Sequence, residues 1–262
     1  MVISIVNQKG GGGKTTTAVN LSAALAEQGL RVLLIDMDAQ HNATTVVGVS
    51  RTSPSIFDVL VDGEAHPLHS VVVSTPVPHL DVAPGAPSLS GLDLALRDAV
   101  GRDLLLREAI ASLPEPYDFV LIDNGPTLGI APVMSLCAAD VALIPLQCEP
   151  LALEGLSQIL KTISKIRSLR INTALQTQVL LTMLDLNTQH GREIRDETRR
   201  HFTDTVLRTE VRRFVRLAKS AVRRDAAGQL KTGTVLATAP NSPAANAYRD
   251  LARELQQRHL PA

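Results

Sequence analysis

One short run decides most of what this chain can become. Residues 7–16 read Asn-Gln-Lys-Gly-Gly-Gly-Gly-Lys-Thr-Thr, directly after an apolar stretch at 2–6 and directly before a helical pattern at 15–28. Gly10, Gly11, Gly12 and Gly13 let the backbone turn tightly and present its N–H groups to an anion. The helix that follows adds the partial positive charge of its N-terminus. Lys14 is placed to neutralise the β- and γ-phosphates of a nucleotide, and the Thr15 hydroxyl to ligate Mg²⁺, with Thr16 next in the loop. A flexible linker has a similar composition, but a linker does not sit between a buried strand and a helix or end in Lys-Thr-Thr. The common pattern G-x-x-x-x-G-K-[ST] places its first glycine at position 8, where this chain has Gln8; an additional lysine, Lys9, stands at the start of the loop.

The rest of the chain fits an α/β fold around that loop. Nearly continuous apolar runs at 2–6, 32–35, 119–122, 141–144 and 179–181 read as strands covered on both faces. Helical patterns are expected at 15–28, 92–113, 151–167 and 191–202, with Gly29 stopping the first. This alternation predicts a mostly parallel, doubly wound sheet with helices on both faces. The Pro-, Ser- and Gly-rich stretch 51–90 reads as an irregular insertion, so 1–262 is expected to form one domain. With 45% apolar and 20% charged residues, the chain can bury a sizeable core and stay soluble. No apolar run approaches the ~20 residues that span a bilayer. The N-terminus enters a strand with no basic leader, which points to the cytoplasm. Cys137 and Cys148 are too few for a disulfide framework and are expected to be buried core thiols.

Two further runs carry carboxylates. The strand at 32–35 leads into Asp36-Met37-Asp38, and the strand at 119–122 leads into Asp123. Carboxylates at strand ends lie on the edge where α/β sheets bind ligands. Asp123 is the expected holder of Mg²⁺ through water, as in an apolar strand ending in Asp. A carboxylate at a strand end also serves as a helix cap; following the glycine loop in order, the set reads as a nucleotide site.

Lys-Gly-Gly-x-Gly-Lys-Thr-Thr, followed by Asp-x-Asp-Ala-Gln and by the strand ending in Asp123, resembles the deviant Walker A group of P-loop NTPases, ParA/MinD. The blocks at 144–156, 180–185 and 215–217 place the chain nearer the ParA/Soj branch, and the early first strand matches its short members, which lack an N-terminal helix-turn-helix domain. The resemblance implies an ATPase with ATP and Mg²⁺ as cofactors. Lys9 reaches the partner's nucleotide across an ATP-dependent homodimer, so the catalytic set is Lys9, Lys14 and Asp38, with Asp38 positioning the attacking water and Asp36 supporting Mg²⁺. Met183 falls near the nucleotide base. The implied partners are non-specific duplex DNA and a ParB-like centromere-binding protein that stimulates slow hydrolysis; the implied location is the nucleoid. The chain departs from the family at Gly12, often Val; at Ala39 and His41, usually Pro and Gly; at Asn124-Gly125 in the switch; at 218–221; and at Asn187, where many relatives carry a DNA-contacting Arg.

Charge is uneven along the chain. Residues 1–150 hold 7 Lys and Arg against 16 Asp and Glu, and residues 151–262 hold 19 against 10. Residues 192–231 contain 12 Lys and Arg and 6 Asp and Glu. Arg192, Arg195 and Arg199 fall at i, i+3 and i+7, one stripe of a helix. With Arg213, Arg216, Lys219 and Arg223 they form a candidate duplex-DNA face, of which only Arg216 is matched to the family as a DNA contact. Such contacts are to phosphates and salt-dependent; a solvated helical face has the same composition. Scarce aromatics argue against stacking of single-stranded bases. A MinD-like membrane-surface reading rests on residues 247–258, where Ala247, Leu251 and Leu255 make a thin apolar stripe flanked by Arg249, Arg253 and Arg258; no membrane partner is expected. An iron–sulfur relative requires two cysteines at a dimer axis, an ATP-dependent ligase requires a second substrate site, and a ParA-like ATPase carrying a protein cargo shares every motif above.

Overall fold

The computed structural model describes residues 1–262 except 51, 127–128, 148–151, 215–222, 225–229 and 260–262. Its centre is an eight-stranded sheet in the order β3-β4-β2-β5-β1-β6-β7-β8. The strands are β1 (Val2–Ile5), β2 (Val32–Met37), β3 (Val73–Ser74), β4 (Leu80–Ala83), β5 (Phe119–Asn124), β6 (Val141–Gln147), β7 (Gln176–Leu184) and β8 (Val206–Arg212). Only the edge strand β3 runs antiparallel to its neighbour; the other pairs are parallel. The expected fold class is what the chain adopts.

The pleat distributes the apolar runs between two layers. From β2, Val32 and Leu34 enter one core while Leu33, Ile35 and Met37 enter the other. From β5, Phe119 and Leu121 join the first, and Val120 and Ile122 the second. Helix α1 (Lys14–Ala26) and the C-terminal helix (Pro243–His259) cover the first face. On the opposite face lie α3 (Ile56–Val61), α4 (Leu68–Val71), α5 (Leu92–Ala95), α6 (Leu105–Ala111), α7 (Ile130–Ala138) and α8 (Ala152–Ser168). Helix α2 (Asn42–Val46) follows β2, and α9 (Gln189–His201) precedes β8. The first strand lies between β5 and β6, so its C-terminal end opens at the point where strand order reverses, the usual ligand crevice of such sheets.

Several sequence expectations are corrected. The stretch 51–90 is not an irregular insertion: it supplies α3, α4, β3 and β4, and β4 pairs directly with β2. A strand of four residues flanked by Pro78 and Pro84 carries too little periodicity to stand out. The helix expected at 92–113 breaks into α5, a 3₁₀ turn at Arg102–Leu104 and α6, because Gly101 takes φ +71 between them. Strand β8 carries Arg208, Glu210 and Arg212 among its seven residues, and those charges mask it within the basic segment. The apolar stripe of 247–258 is not a free surface. Leu251 and Leu255 are fully buried with Ala244, Ala245 and Tyr248 in the first core, and Ala247 packs against them. No described helix is long and apolar enough to cross a membrane. Cys137 is buried as expected, with burial raising its thiol to about 11; Cys148 lies outside the described residues.

Candidate nucleotide site

The loop between β1 and α1 closes on itself. Gly11 and Gly13 adopt φ +77 and +87, values that only glycine reaches without strain. Asn7, which β1 delivers into the loop, accepts the Lys9 N–H through Oδ1 at 3.0 Å. Its Nδ2 donates to Pro145 O at 2.5 Å, tying the loop to β6. The Gly12 N–H and the Lys14 Nζ both donate to Lys9 O at 3.4 Å. The two lysines differ in setting. Lys14 is 6% exposed; burial lowers its ammonium pKa, while the charges of Asp123 and Asp38 act to raise it. Lys9 is half-buried on the rim next to the exposed Gly10 and Gly11.

The carboxylates meet across the sheet. Asp36 on β2 is the register partner of Asp123 on β5, and both are completely buried. Burial pushes the Asp36 carboxyl up to about 6, against hydrogen bonds that favour its charge. Those come from the Thr44 N–H and hydroxyl, each 2.7 Å from Oδ2, and from the Asp38 N–H, 3.2 Å from Oδ1. Burial first and the charge of Asp36 second hold Asp123 well above the usual carboxylate range, with the Thr15 hydroxyl pulling the other way. Neither Asp123 oxygen makes a well-formed hydrogen bond. A buried, under-satisfied carboxylate beside a second one is the donor set that a hydrated divalent cation relieves. These residues therefore fit Mg²⁺, with Thr15 at the helix start and Asp36 and Asp123 behind it.

Asp38 stands forward of this pair. Its Oδ1 accepts the Gln40 N–H at 3.0 Å. A Cβ built on Gly125 would lie 3.3 Å from its carboxylate, so the backbone after Asp123 runs along this side chain. Position 41 needs a left-handed conformation, and His41 adopts it at φ +41 to open α2. At position 12 the virtual Cβ meets Asn7 Nδ2 at 2.9 Å, which accounts for glycine there in this chain.

The end of β7 completes the pocket. Thr182 donates to Gly12 O at 3.4 Å, and Met183, at φ +51, places its methyl 3.7 Å from the virtual Cβ of Gly13. Thr16, Thr17, Met183, Arg213, Phe214 and Tyr248 line a cavity of about 260 Å³ beside the loop. It is apolar with a polar rim and opens from the phosphate loop, which suits an adenine base. The structure thus brings together Lys9 to Thr16, Asp36, Asp38, Asp123 and Met183.

The arginines expected to face DNA divide. Arg192 is exposed and donates to Leu186 O at 3.1 Å. Arg195 pairs with Asp196 at 2.8 Å, and Arg199 with Glu210 at 2.7 Å, which partly cancels their charge. Arg213 is exposed and lines the same cavity as Met183 and Tyr248. The backbone of Arg223 lies in a short antiparallel ladder with Lys231. Arg216 and Lys219 lie outside the described residues, as do 218 and 220–221.

Sequence reasoning missed the supports behind the carboxylates. Thr44 bonds Asp36 and also accepts the Gly85 N–H at 3.0 Å. Gly85 follows β4, and a Cβ there would lie 2.8 Å from Asp36 O, 2.9 Å from Asp36 Cγ and 2.9 Å from Asp38 O. The Pro-Gly-Ala-Pro run at 84–87 was the available signal, a glycine held between two prolines after a strand.

Comparison with known proteins agrees with this geometry. A family model described as an AAA domain matches residues 1–177. The sporulation initiation inhibitor protein Soj of Bacillus subtilis is 39% identical over 257 residues, 97% of each chain. The chromosome partitioning protein ParA of Caulobacter vibrioides is 43% identical over 224 residues, 84% of this chain and 83% of that protein. Among solved structures, cobyrinic acid a,c-diamide synthase from Mycobacterium smegmatis with bound ADP and magnesium aligns at a TM-score of 0.80. It is 31% identical and covers 98% of this chain and 95% of that one.

Proposed function

Because the chain belongs to the ParA/Soj family of P-loop ATPases, we propose that it is a Mg²⁺-dependent DNA-partition ATPase whose ATP-bound dimer holds duplex DNA. The observation that carries this reading is the separation of the two lysines. Lys14 is sealed among Asp38 and Asp123, where it serves its own nucleotide. Lys9 stands on the half-buried rim beside exposed glycines, where a second protomer's nucleotide can approach.

Each protomer binds ATP with the phosphates in the Gly10–Gly13 turn, on Lys14 and the helix N-terminus, and the base against Met183. Thr15 would ligate Mg²⁺, with Asp36 and Asp123 holding it through water, and the ion would supply positive charge against the charge that develops on the phosphoryl group. Asp38 orients the attacking water. Lys9 of the facing protomer stabilises the transferring phosphoryl group, the role of a finger supplied in trans. Dimerisation then follows ATP occupancy and ends with hydrolysis. Arg192, Arg213, Arg216, Lys219 and Arg223 supply phosphate contacts, doubled in the dimer. Arg195 and Arg199 contribute less, since their carboxylate partners offset them. A ParB-like centromere-binding protein accelerates hydrolysis and releases the dimer, which resides on the nucleoid. A protein cargo on the same DNA-bound dimer is the alternative use of this cycle.

Duplex-DNA binding measured with ADP, with ATP, and with Lys9→Ala in ATP across a salt series tests the mechanism. Tight, salt-sensitive binding only with ATP, lost in Lys9→Ala, supports it. Binding that ignores the nucleotide detaches the basic face from the ATP cycle and sinks it.

A further inference from the structure

Along β5 the pleat sends Val120 and Ile122 into the core shared with α7, and the next residue in that row is an amide, Asn124, only 1% exposed. Its Nδ2 donates to Ser135 Oγ on α7 at 2.9 Å and to Ile5 O at the end of β1 at 3.1 Å, with Ser4 Oγ at 3.3 Å. The hydroxyls of Ser4 and Ser135 bond each other, so a buried polar knot joins β1, β5 and α7. Turned over, the amide would set its oxygen against the carbonyls of Ile5 and Ile122, which fixes the direction of the amino group. Oδ1 is then left with no partner among the described residues, a cost that an apolar side chain would not carry.

Packing alone does not call for an amide at this place; its neighbours do. Asp123 precedes it, with its side chain on the opposite face of the sheet. Gly125 follows it, and a Cβ built there lies 3.3 Å from the Asp38 carboxylate. Ile5, which accepts from Asn124, is the register partner of Asp123 and leads through Val6 into the phosphate loop. The amide is therefore one peptide unit from each of two site positions and one hydrogen bond from the strand that carries the loop.

We propose that Asn124 is a positioning residue for ATP hydrolysis: its amide pins the stretch from Asp123 to Gly125 to β1 and α7, and so fixes that stretch relative to the phosphate loop. Without the amide, Asp123 and the Gly125 backbone can shift by a few tenths of an ångström against Asp38 and the loop. The cost falls on hydrolysis and on Mg²⁺, which Asp123 would hold through water, and not on the phosphate turn or the base cavity. The inference rests on the placement of Asp38 and Asp123 in the hydrolytic site given above.

The test compares Asn124→Leu, Asn124→Ala, Asn172→Ala and Asp38→Ala in the full chain, by steady-state ATP hydrolysis, thermal melting and calorimetric ADP titration with and without Mg²⁺. Asn124→Leu fills a similar volume and removes the unpartnered oxygen, so it is expected to melt no lower than the parent while kcat falls about tenfold and KM for ATP stays within about twofold. Asn124→Ala is expected to lose kcat to the same extent, and the gain in ADP affinity on adding Mg²⁺ is expected to shrink about tenfold in both. Asn172 Nδ2 bonds the carbonyls of Leu136, Cys137 and Ala139 beyond the far end of α7, so Asn172→Ala is expected to lower the melting temperature and keep kcat within about twofold. Parent-like kcat and Mg²⁺ response in either Asn124 variant, or a loss of kcat in Asn172→Ala as large as in Asn124→Ala, overturns the role of Asn124. A parent-like Asp38→Ala overturns the reading of the site and this inference with it, whereas an inactive Asp38→Ala beside a parent-like Asn124→Ala overturns this inference alone.

Discussion

Replacing Gly85 by alanine adds one methyl group behind Asp36 and Asp38. The built Cβ lies 2.8 Å from Asp36 O, 2.9 Å from Asp36 Cγ and 2.9 Å from Asp38 O. Two of these three atoms are backbone carbonyl oxygens and the third belongs to a completely buried side chain, so none can swing aside. The Asp36–Asp38 segment must back away by a few tenths of an ångström. Overpacking of this kind costs about 1–3 kcal/mol of stability. Displacement of a reacting group by about 1 Å costs roughly 10²-fold in rate, so a few tenths of an ångström at Asp38 should lower kcat about threefold to tenfold. ADP affinity should change little, because the phosphate loop and base cavity are untouched. Urea unfolding, steady-state ATP hydrolysis and fluorescent-ADP titration measure the three quantities. Gly91→Ala is the control: a Cβ there meets nothing within 4 Å, and its stability should stay within about 0.5 kcal/mol. If Gly85→Ala matches the parent in unfolding midpoint and kcat, the claim that β4 fixes the carboxylates from behind is wrong.

Thr44→Val keeps shape but deletes the hydroxyl that bonds Asp36 and accepts from Gly85. Loss of a bond to a charged acceptor together with an orphaned N–H should destabilise the fold by about 3 kcal/mol in urea unfolding. A change below about 0.5 kcal/mol would show that the hydroxyl carries no weight there. Glu254 is pushed up by burial, but bonds from the Arg208 and Thr209 N–H groups and the Thr209 hydroxyl, with the charge of Arg258, hold its pKa below the usual glutamate value. A depressed carboxylate contributes stability that is complete above its unfolded pKa, ordinarily 4.5, and is lost as pH falls through the folded value. Glu254→Gln should therefore be less stable than the parent at neutral pH, with the gap closing on acidification below 4.5; a gap that is independent of pH would refute the assignment.

Much of the fold and of the phosphate site was legible in one dimension because the relevant signals are local. The glycine run dictates a tight turn, Lys14 and Thr15 follow it within the same helix turn, and the apolar runs at β1, β2, β5, β6 and β7 mark strands covered on both faces. Asp36 and Asp123 are recognisable as strand ends, yet their adjacency arises only when β2 and β5 pair in register; burial in the sheet raises both pKa values, and the charge of Asp36 adds to the rise at Asp123. Tertiary packing decided the rest. The short strand β4 gains its place by lying against β2, which turns Gly85 from a loop residue into the wall behind Asp36. The amphipathic C-terminal helix presents a stripe that in sequence fits either a membrane or a core, and its packing on α1 and β8 assigns it to the core. The spacing that aligns Arg195 and Arg199 on α9 does not reveal that Glu210, from β8, stands beside Arg199. Periodicity and motif spacing are properties of neighbours along the chain, whereas charge pairing, burial and support from behind depend on which distant segment arrives at the same place.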